Sequence, residues 1–181
     1  MASRNIILLG YMGAGKTSVG KTLARRLGQD FYDLDWYIEE RFRRKVADLF
    51  AERGEQGFRE IEHKMLHEVA EFEDIVLALG GGTPCFFDNI DYLNTKGITV
   101  FMNASPETIV RHLKVSHTVR PLLLQKQGKE LSDHIVEHLK QRLPYYRKAQ
   151  YEINVDCLDS FGKIDLLADE ILALTGRTNS N

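Results

Sequence analysis

The run Gly10-Tyr11-Met12-Gly13-Ala14-Gly15-Lys16-Thr17 limits what this chain can fold into more than any other segment. Glycine, four residues, glycine, lysine and then serine or threonine is the spacing of a phosphate-binding loop, the P-loop. The flanks agree with it. Ile6-Ile7-Leu8-Leu9 reads as a buried strand, and beyond the loop Thr17, Val19, Gly20, Leu23, Ala24 and Leu27 recur at helical spacing. Gly28 then offers a left-handed helix stop. A strand that enters a glycine loop and leaves as a helix aims successive backbone N–H groups at phosphate oxygens, and the helix end adds about half a positive charge. The nucleotide-binding set expected from this stretch is Gly13, Ala14, Gly15, Lys16, Thr17 and Ser18. Lys16 would reach the β- and γ-phosphates and the Thr17 hydroxyl would ligate Mg²⁺.

The remaining sequence supplies the frame for such a loop. Five short apolar strands are expected near 5–9, 30–33, 74–79, 98–102 and 151–155, alternating with helices. This order predicts an α/β fold with a parallel sheet covered by helices, and ligands at the carboxyl edge of that sheet. Residues 35–72 exceed a simple crossover and predict several helices forming a lobe. Residues 114–130 lack a sustained period and read as a mobile loop, and the polar stretch 175–181 reads as a frayed tail. At 181 residues the chain suits one domain. A net charge of −2 carries no basic surplus for nucleic acid or an anionic membrane, and no apolar run approaches the ~20 residues of a membrane span. The N-terminus runs straight into the first strand, leaving no expected signal peptide, and two cysteines without metal spacing, Cys85 and Cys157, suit a reducing cytoplasm.

Chain order brings four further features to the loop's edge of the sheet. Asp33 and Asp35 close the second strand: one acid could help hold Mg²⁺, the other could accept a proton from a substrate hydroxyl, and Asp35 also reads as a helix N-cap. On an expected helix over 56–72, Arg59 lies three residues before Glu62, which can orient its guanidinium or simply pair with it in solvent. Gly80-Gly81-Gly82 after the third strand suggests close approach of backbone to a ligand, or a plain loop. Arg120 in the expected mobile loop and Arg142 on a helix near 131–149 each suit a carboxylate or phosphate, or solvent. His134, Glu137 and His138 match a zinc-protease string without a third ligand, and His63 and His67 lie four apart without the accompanying glutamate. Both pairs are expected to be solvated helix faces.

Taken together, these motifs resemble those of shikimate kinases along nearly the whole chain: the loop at 10–17, Asp-Leu-Asp at 33–35, Phe-Arg-Glu-Ile-Glu at 58–62, Gly-Gly-Gly at 80–82, Arg-Pro-Leu-Leu at 120–123, and Arg142 ahead of Pro144-Tyr145-Tyr146. The resemblance implies a three-layer P-loop fold with a five-stranded parallel sheet in the order 2-3-1-4-5, a substrate lobe at about 34–61 and a lid at about 114–124. It implies Mg²⁺-dependent transfer of the ATP γ-phosphoryl group to shikimate, with ATP and shikimate as small-molecule partners. Asp35 is implied as the substrate base, Arg59 and Arg142 as the carboxylate clamp, and Gly81 and Gly82 as backbone contacts. Asp33 is implied as a Mg²⁺-side acid acting through water, and Arg120 as the lid arginine that meets the phosphates. A monomer is expected. The adenine region departs from many relatives: Arg111 or Lys114 stands where an additional lid arginine is common, and Ser160-Phe161-Gly162 where a proline is. Two alternatives stay open at this point, a gluconate-type carbohydrate kinase and a non-catalytic nucleotide-binding protein.

Overall fold

Ile6–Leu9 forms the first strand, β1, and all four of its side chains are buried, as a strand covered by helices on both faces requires. A computed structural model describes residues 5–115, 128–158 and 161–177. The other strands are β2 (Asp30–Asp33), β3 (Ile75–Ala78), β4 (Ile98–Asn103) and β5 (Tyr151–Asn154). They pair in parallel in the order β2-β3-β1-β4-β5, with Ile7 opposite Leu77 on one side and Thr99 on the other. The two flanking strands carry the polar residues: Asp30 on β2 and Glu152 and Asn154 on β5 are exposed, which blunts the open edges.

The helices are α1 (Lys16–Leu27), α2 (Leu34–Phe42), α3 (Val46–Val69), α4 (Asn89–Lys96), α5 (Pro106–Val115), α6 (Gly128–Tyr146) and α7 (Phe161–Leu174). Gly28 ends α1 with φ 64°, and its N–H bonds to the Ala24 carbonyl. α1 packs on α7, where Arg26 pairs with both Asp165 and Asp169. The residues after the second strand form two packed helices, α2 and α3, and α3 changes direction at Gly54 (φ 68°, ψ −179°). The helix expected over 56–72 is the part of α3 beyond that bend, with Phe58, Met65 and Val69 buried. The helix expected near 131–149 starts and ends three residues earlier, because Gly128 already joins it and Pro144 lies in its last turn. Its stripe of Leu131, Ile135 and Leu139 faces the core.

Two expectations change. The reading of 114–130 as loop is too wide, since α5 reaches Val115 and α6 begins at Gly128. Residues 116–127, most of the expected lid and Arg120 with it, lie outside the described residues, as does part of the expected tail. The second correction concerns β2. It stops at Asp33 and the chain turns directly into α2, so Asp33 and Asp35 do not share a strand face.

The P-loop leaves β1 at Gly10, whose φ of 143° is open to glycine alone; a Cβ there would stand 2.6 Å from the Met102 carbonyl oxygen of β4. Gly10→Ala is expected to lower stability in urea by about 1–3 kcal/mol through backbone strain. An unchanged unfolding midpoint would contradict this account of how the loop exits the sheet.

Candidate active site

The P-loop is built as its glycines require. Gly13 and Gly15 adopt φ values of 81° and 89°, and Gly15 leads into α1 without any side-chain cap or first-turn acid. That helix end is therefore set up for an external anion. Lys16 is nearly buried, and its ammonium donates to the Gly10 and Tyr11 carbonyls at 2.8 and 2.9 Å. This holds a positive charge at the mouth of the loop. The Thr17 hydroxyl donates to Asp33 Oδ2 at 2.9 Å. The other Asp33 oxygen accepts from the backbone N–H groups of Asp35 (3.1 Å) and Trp36 (3.4 Å). The N-cap of α2 is thus Asp33 rather than Asp35, because β2 ends one residue before the helix and its extended last residue is the one that can cap. Thr17 and Asp33 together offer hard oxygen donors, the chemistry that suits Mg²⁺.

The three consecutive glycines each lie against a different member of the expected site. A Cβ on Gly80 would lie 3.0 Å from both Asp35 Oδ1 and Thr83 Oγ1; on Gly81, 3.3 Å from Arg142 Nη1 and 3.2 Å from the Met12 backbone nitrogen; on Gly82, 2.9 Å from Arg59 Cζ. The plain-loop reading of this triplet fails on those contacts. Adjacent glycines seat the two guanidiniums, and Gly81 also lies against the P-loop.

Each guanidinium is held by its own set of partners. Arg59 is not a surface ion pair. Its side chain is 11% exposed, Nη1 donates to Glu62 Oε2 at 2.8 Å, and the guanidinium lies 4.3 Å from the Phe86 ring centroid. Glu62 is itself buried, and its second oxygen accepts from the Thr83 hydroxyl at 2.7 Å. Arg142 lies 5.3 Å from the Tyr11 ring centroid and donates to His138 Nε2 at 3.3 Å. Since that nitrogen accepts, the His138 proton resides on Nδ1 and is donated to the Tyr11 hydroxyl at 3.1 Å. Arg59 Nε and Arg142 Nη1 are both buried without a hydrogen-bond partner among the described residues. Unspent donors on two arginines that lie against adjacent glycines suit a small carboxylate.

Several residues of this arrangement escaped the sequence reading. Tyr11 and Tyr146 are fully buried, and the Tyr146 hydroxyl donates to the Gly81 carbonyl, pinning the triplet to α6. His138 is half-buried rather than solvated; burial first, then Arg142 and His134, push it down to about 4. His63 and His67 are likewise partly buried. His112 bridges the Gly13 carbonyl (2.7 Å) and the Leu158 carbonyl, joining the P-loop to the segment after β5. Arg111, a candidate for the adenine side, donates to the Asp156 carbonyl at 3.1 Å, and Lys114 is exposed. Cys85 faces both site arginines, yet burial outweighs them and raises its thiol to about 11, which makes it a poor nucleophile.

A protein-family profile described as shikimate kinase matches residues 12–173. The chain belongs to the shikimate kinase family. It is 53% identical over 166 residues to the shikimate kinase of Phocaeicola vulgatus, covering 92% of this chain and 95% of that one. The crystal structure of the Bacteroides thetaiotaomicron shikimate kinase superposes with a TM-score of 0.93 at 50% identity, covering 96% of this chain and 98% of that one. The Acinetobacter baumannii shikimate kinase, solved in complex with shikimate, gives a TM-score of 0.83 at 36% identity over 95% and 92% of the two chains. The sheet order implied by the resemblance is the one observed. As a shikimate kinase the chain is an ATP-dependent phosphotransferase acting on a hydroxyl group, which closes the non-catalytic alternative.

The low proton affinity of His138 has a measurable consequence. Its folded value of about 4 lies below the unfolded value of about 6.5, so the unfolded chain binds the proton more readily. The stability it contributes is fully present above about pH 6.5 and is lost as pH falls towards 4. His138→Gln should flatten the fall of the urea midpoint across that window. Some slope should remain, since burial and His63 also lower His67. An unaltered slope in the variant would contradict the assigned neutral, bridging state.

Proposed function

We propose that this enzyme transfers the γ-phosphoryl group of ATP to the 3-hydroxyl of shikimate in a Mg²⁺-dependent reaction, giving 3-phosphoshikimate and ADP for chorismate and aromatic amino acid biosynthesis. The observation that carries the reading is the pair of buried, unspent donors on Arg59 and Arg142, seated by Gly82 and Gly81 beside the phosphate loop.

Each expected residue has a role in this reading. Gly13, Ala14, Gly15, Thr17 and Ser18 present backbone N–H groups to the ATP phosphates, and Lys16 exchanges its loop carbonyls for phosphate oxygens. Thr17 and Asp33 would hold Mg²⁺, the first directly and the second through water, and the ion would supply charge neutralisation on the phosphates. Arg59 and Arg142 grip the shikimate carboxylate, with Gly81 and Gly82 in backbone contact with the acceptor. Asp35, whose Oδ1 lies against Gly80, receives the proton of the 3-hydroxyl. As that oxygen bonds to the γ-phosphorus, the bond from the γ-phosphorus to the bridging oxygen breaks and ADP leaves. Two anchored ends of the acceptor convert a bimolecular encounter into an aligned one. Arg120 meets the phosphates from a lid over about 114–124, while about 34–61 forms the substrate lobe. Closure over both substrates suppresses transfer to water.

The reading also includes a monomer in the cytoplasm. No helix among the described residues is long and apolar enough to cross a membrane.

Coupled ADP release with Mg²⁺-ATP is expected to be rapid with shikimate and near background with gluconate or with no acceptor. Equal rates with gluconate, or acceptor-independent hydrolysis, would reverse the substrate assignment. Two variants divide binding from chemistry. Arg142→Ala should raise the KM for shikimate by about 10²-fold, the scale of a lost buried charge contact, with the KM for ATP little changed. Asp35→Asn should lower kcat by about 10²–10⁴-fold while the fold persists. An Arg142→Ala defect confined to ATP, or full activity in Asp35→Asn, would remove those residues from the assigned roles.

A further inference from the structure

A second group of chemically competent side chains lies where α3 passes the start of α4. His63 and His67 are one turn apart on α3, with ring centroids 4.3 Å apart. Asp88, which precedes α4, completes the group; one ligand atom from each of the three lies within 4.8 Å of the others. None of the three is used by the phosphoryl-transfer mechanism.

The surrounding hydrogen bonds prepare both imidazoles as ligands. Asn89 is buried, and its Nδ2 donates to the Thr83 carbonyl at 2.8 Å, which fixes the orientation of the amide. Asn89 Oδ1 therefore faces His63 Nδ1 at 2.6 Å and can only accept. The His63 proton must reside on Nδ1, leaving a lone pair on Nε2. This is the arrangement in which an outer hydrogen bond sets the tautomer of a metal-binding histidine. On the neighbouring turn, His67 Nε2 is buried with no hydrogen-bond partner among the described residues. Its ring stacks on Tyr92 at 3.7 Å and 11°, which restricts rotation. Burial and His63 lower the His67 proton affinity, consistent with a neutral ring. Asp88 is exposed, so the outward side of the cluster is open to water.

We propose that His63, His67 and Asp88 form a Zn²⁺ site separate from the Mg²⁺–ATP centre. Two neutral imidazoles and one carboxylate form a common zinc donor set, with water in the fourth tetrahedral position. The same donors discriminate against Mg²⁺, which prefers oxygen ligands alone. Zinc–nitrogen bonds of about 2.0–2.1 Å demand a tighter cluster than 4.8 Å, so metal binding would draw the three side chains together. The ion would tie α3 to α4, so it should stabilise the folded chain.

The test is titration of the full-length, metal-free protein with Co²⁺ in excess Mg²⁺, followed by displacement with Zn²⁺. One equivalent of Co²⁺ should produce the visible absorption of a four-coordinate site, Zn²⁺ should abolish it, and Zn²⁺ should raise the thermal midpoint. Asp88→Asn, a surface change that spares the packing, should weaken binding by about tenfold or more. His63→Ala should remove the absorption, and His134→Ala should leave it unaltered. Absence of the visible band, or retention of wild-type affinity in Asp88→Asn together with loss in His134→Ala, would overturn the proposal.

Discussion

Two guanidiniums held largely out of water are the constraint around which the rest of this site is arranged. Burying a cation is costly unless its surroundings replace water. Arg59 is compensated by Glu62, itself fixed by Thr83, and by the face of Phe86. Arg142 is handled differently: it lies over the Tyr11 ring, donates to a His138 that accepts rather than repels, and has the Tyr146 hydroxyl beside it. Each arginine keeps one buried N–H group without a partner among the described residues. Their neighbours orient the charge without consuming it, which leaves binding energy for an anionic acceptor.

The glycine triplet is what allows that arrangement to coexist with a nucleotide site. β3 delivers Gly80, Gly81 and Gly82 next to the P-loop, because β1 and β3 are adjacent in the parallel sheet. A side chain at Gly81 would meet both Arg142 and the Met12 backbone, and one at Gly82 would displace Arg59. Each of the three glycines thus lies against a different charged group: Gly80 against Asp35, Gly81 against Arg142 and Gly82 against Arg59. Tyr11 belongs to the phosphate loop and also stacks under Arg142, so the two halves of the site share a residue.

Much of this was legible in the sequence, for identifiable reasons. The strands were readable because each is a short apolar run, and α1 because a glycine loop and Gly28 bracket its period. Arg59 and Glu62 were readable as a pair because i,i+3 residues on a helix are neighbours. The burial of that pair was not, since it depends on Phe86 and Thr83, which arrive from beyond β3. The cap on α2 falls at Asp33, two residues before the Asp35 that the sequence suggests, because nothing in Asp-Leu-Asp marks where extended backbone gives way to helix. His138 reads as a solvated helix residue in the sequence because helical spacing says nothing about Tyr11, 127 positions away, which it contacts. His63 and His67 went the same way: Asn89 and Asp88 meet them only after the chain has passed through β3.

The central claim is that both arginines converge on one anionic group of the acceptor while its hydroxyl faces the phosphate loop. A crystal structure with shikimate, Mg²⁺ and a non-hydrolysable ATP analogue tests this most directly. The account predicts the carboxylate of shikimate within hydrogen-bond distance of Arg59 and Arg142, with its 3-hydroxyl between Asp35 and the terminal phosphate. Shikimate bound with its carboxylate turned away from both arginines, or lodged apart from the nucleotide, would contradict it.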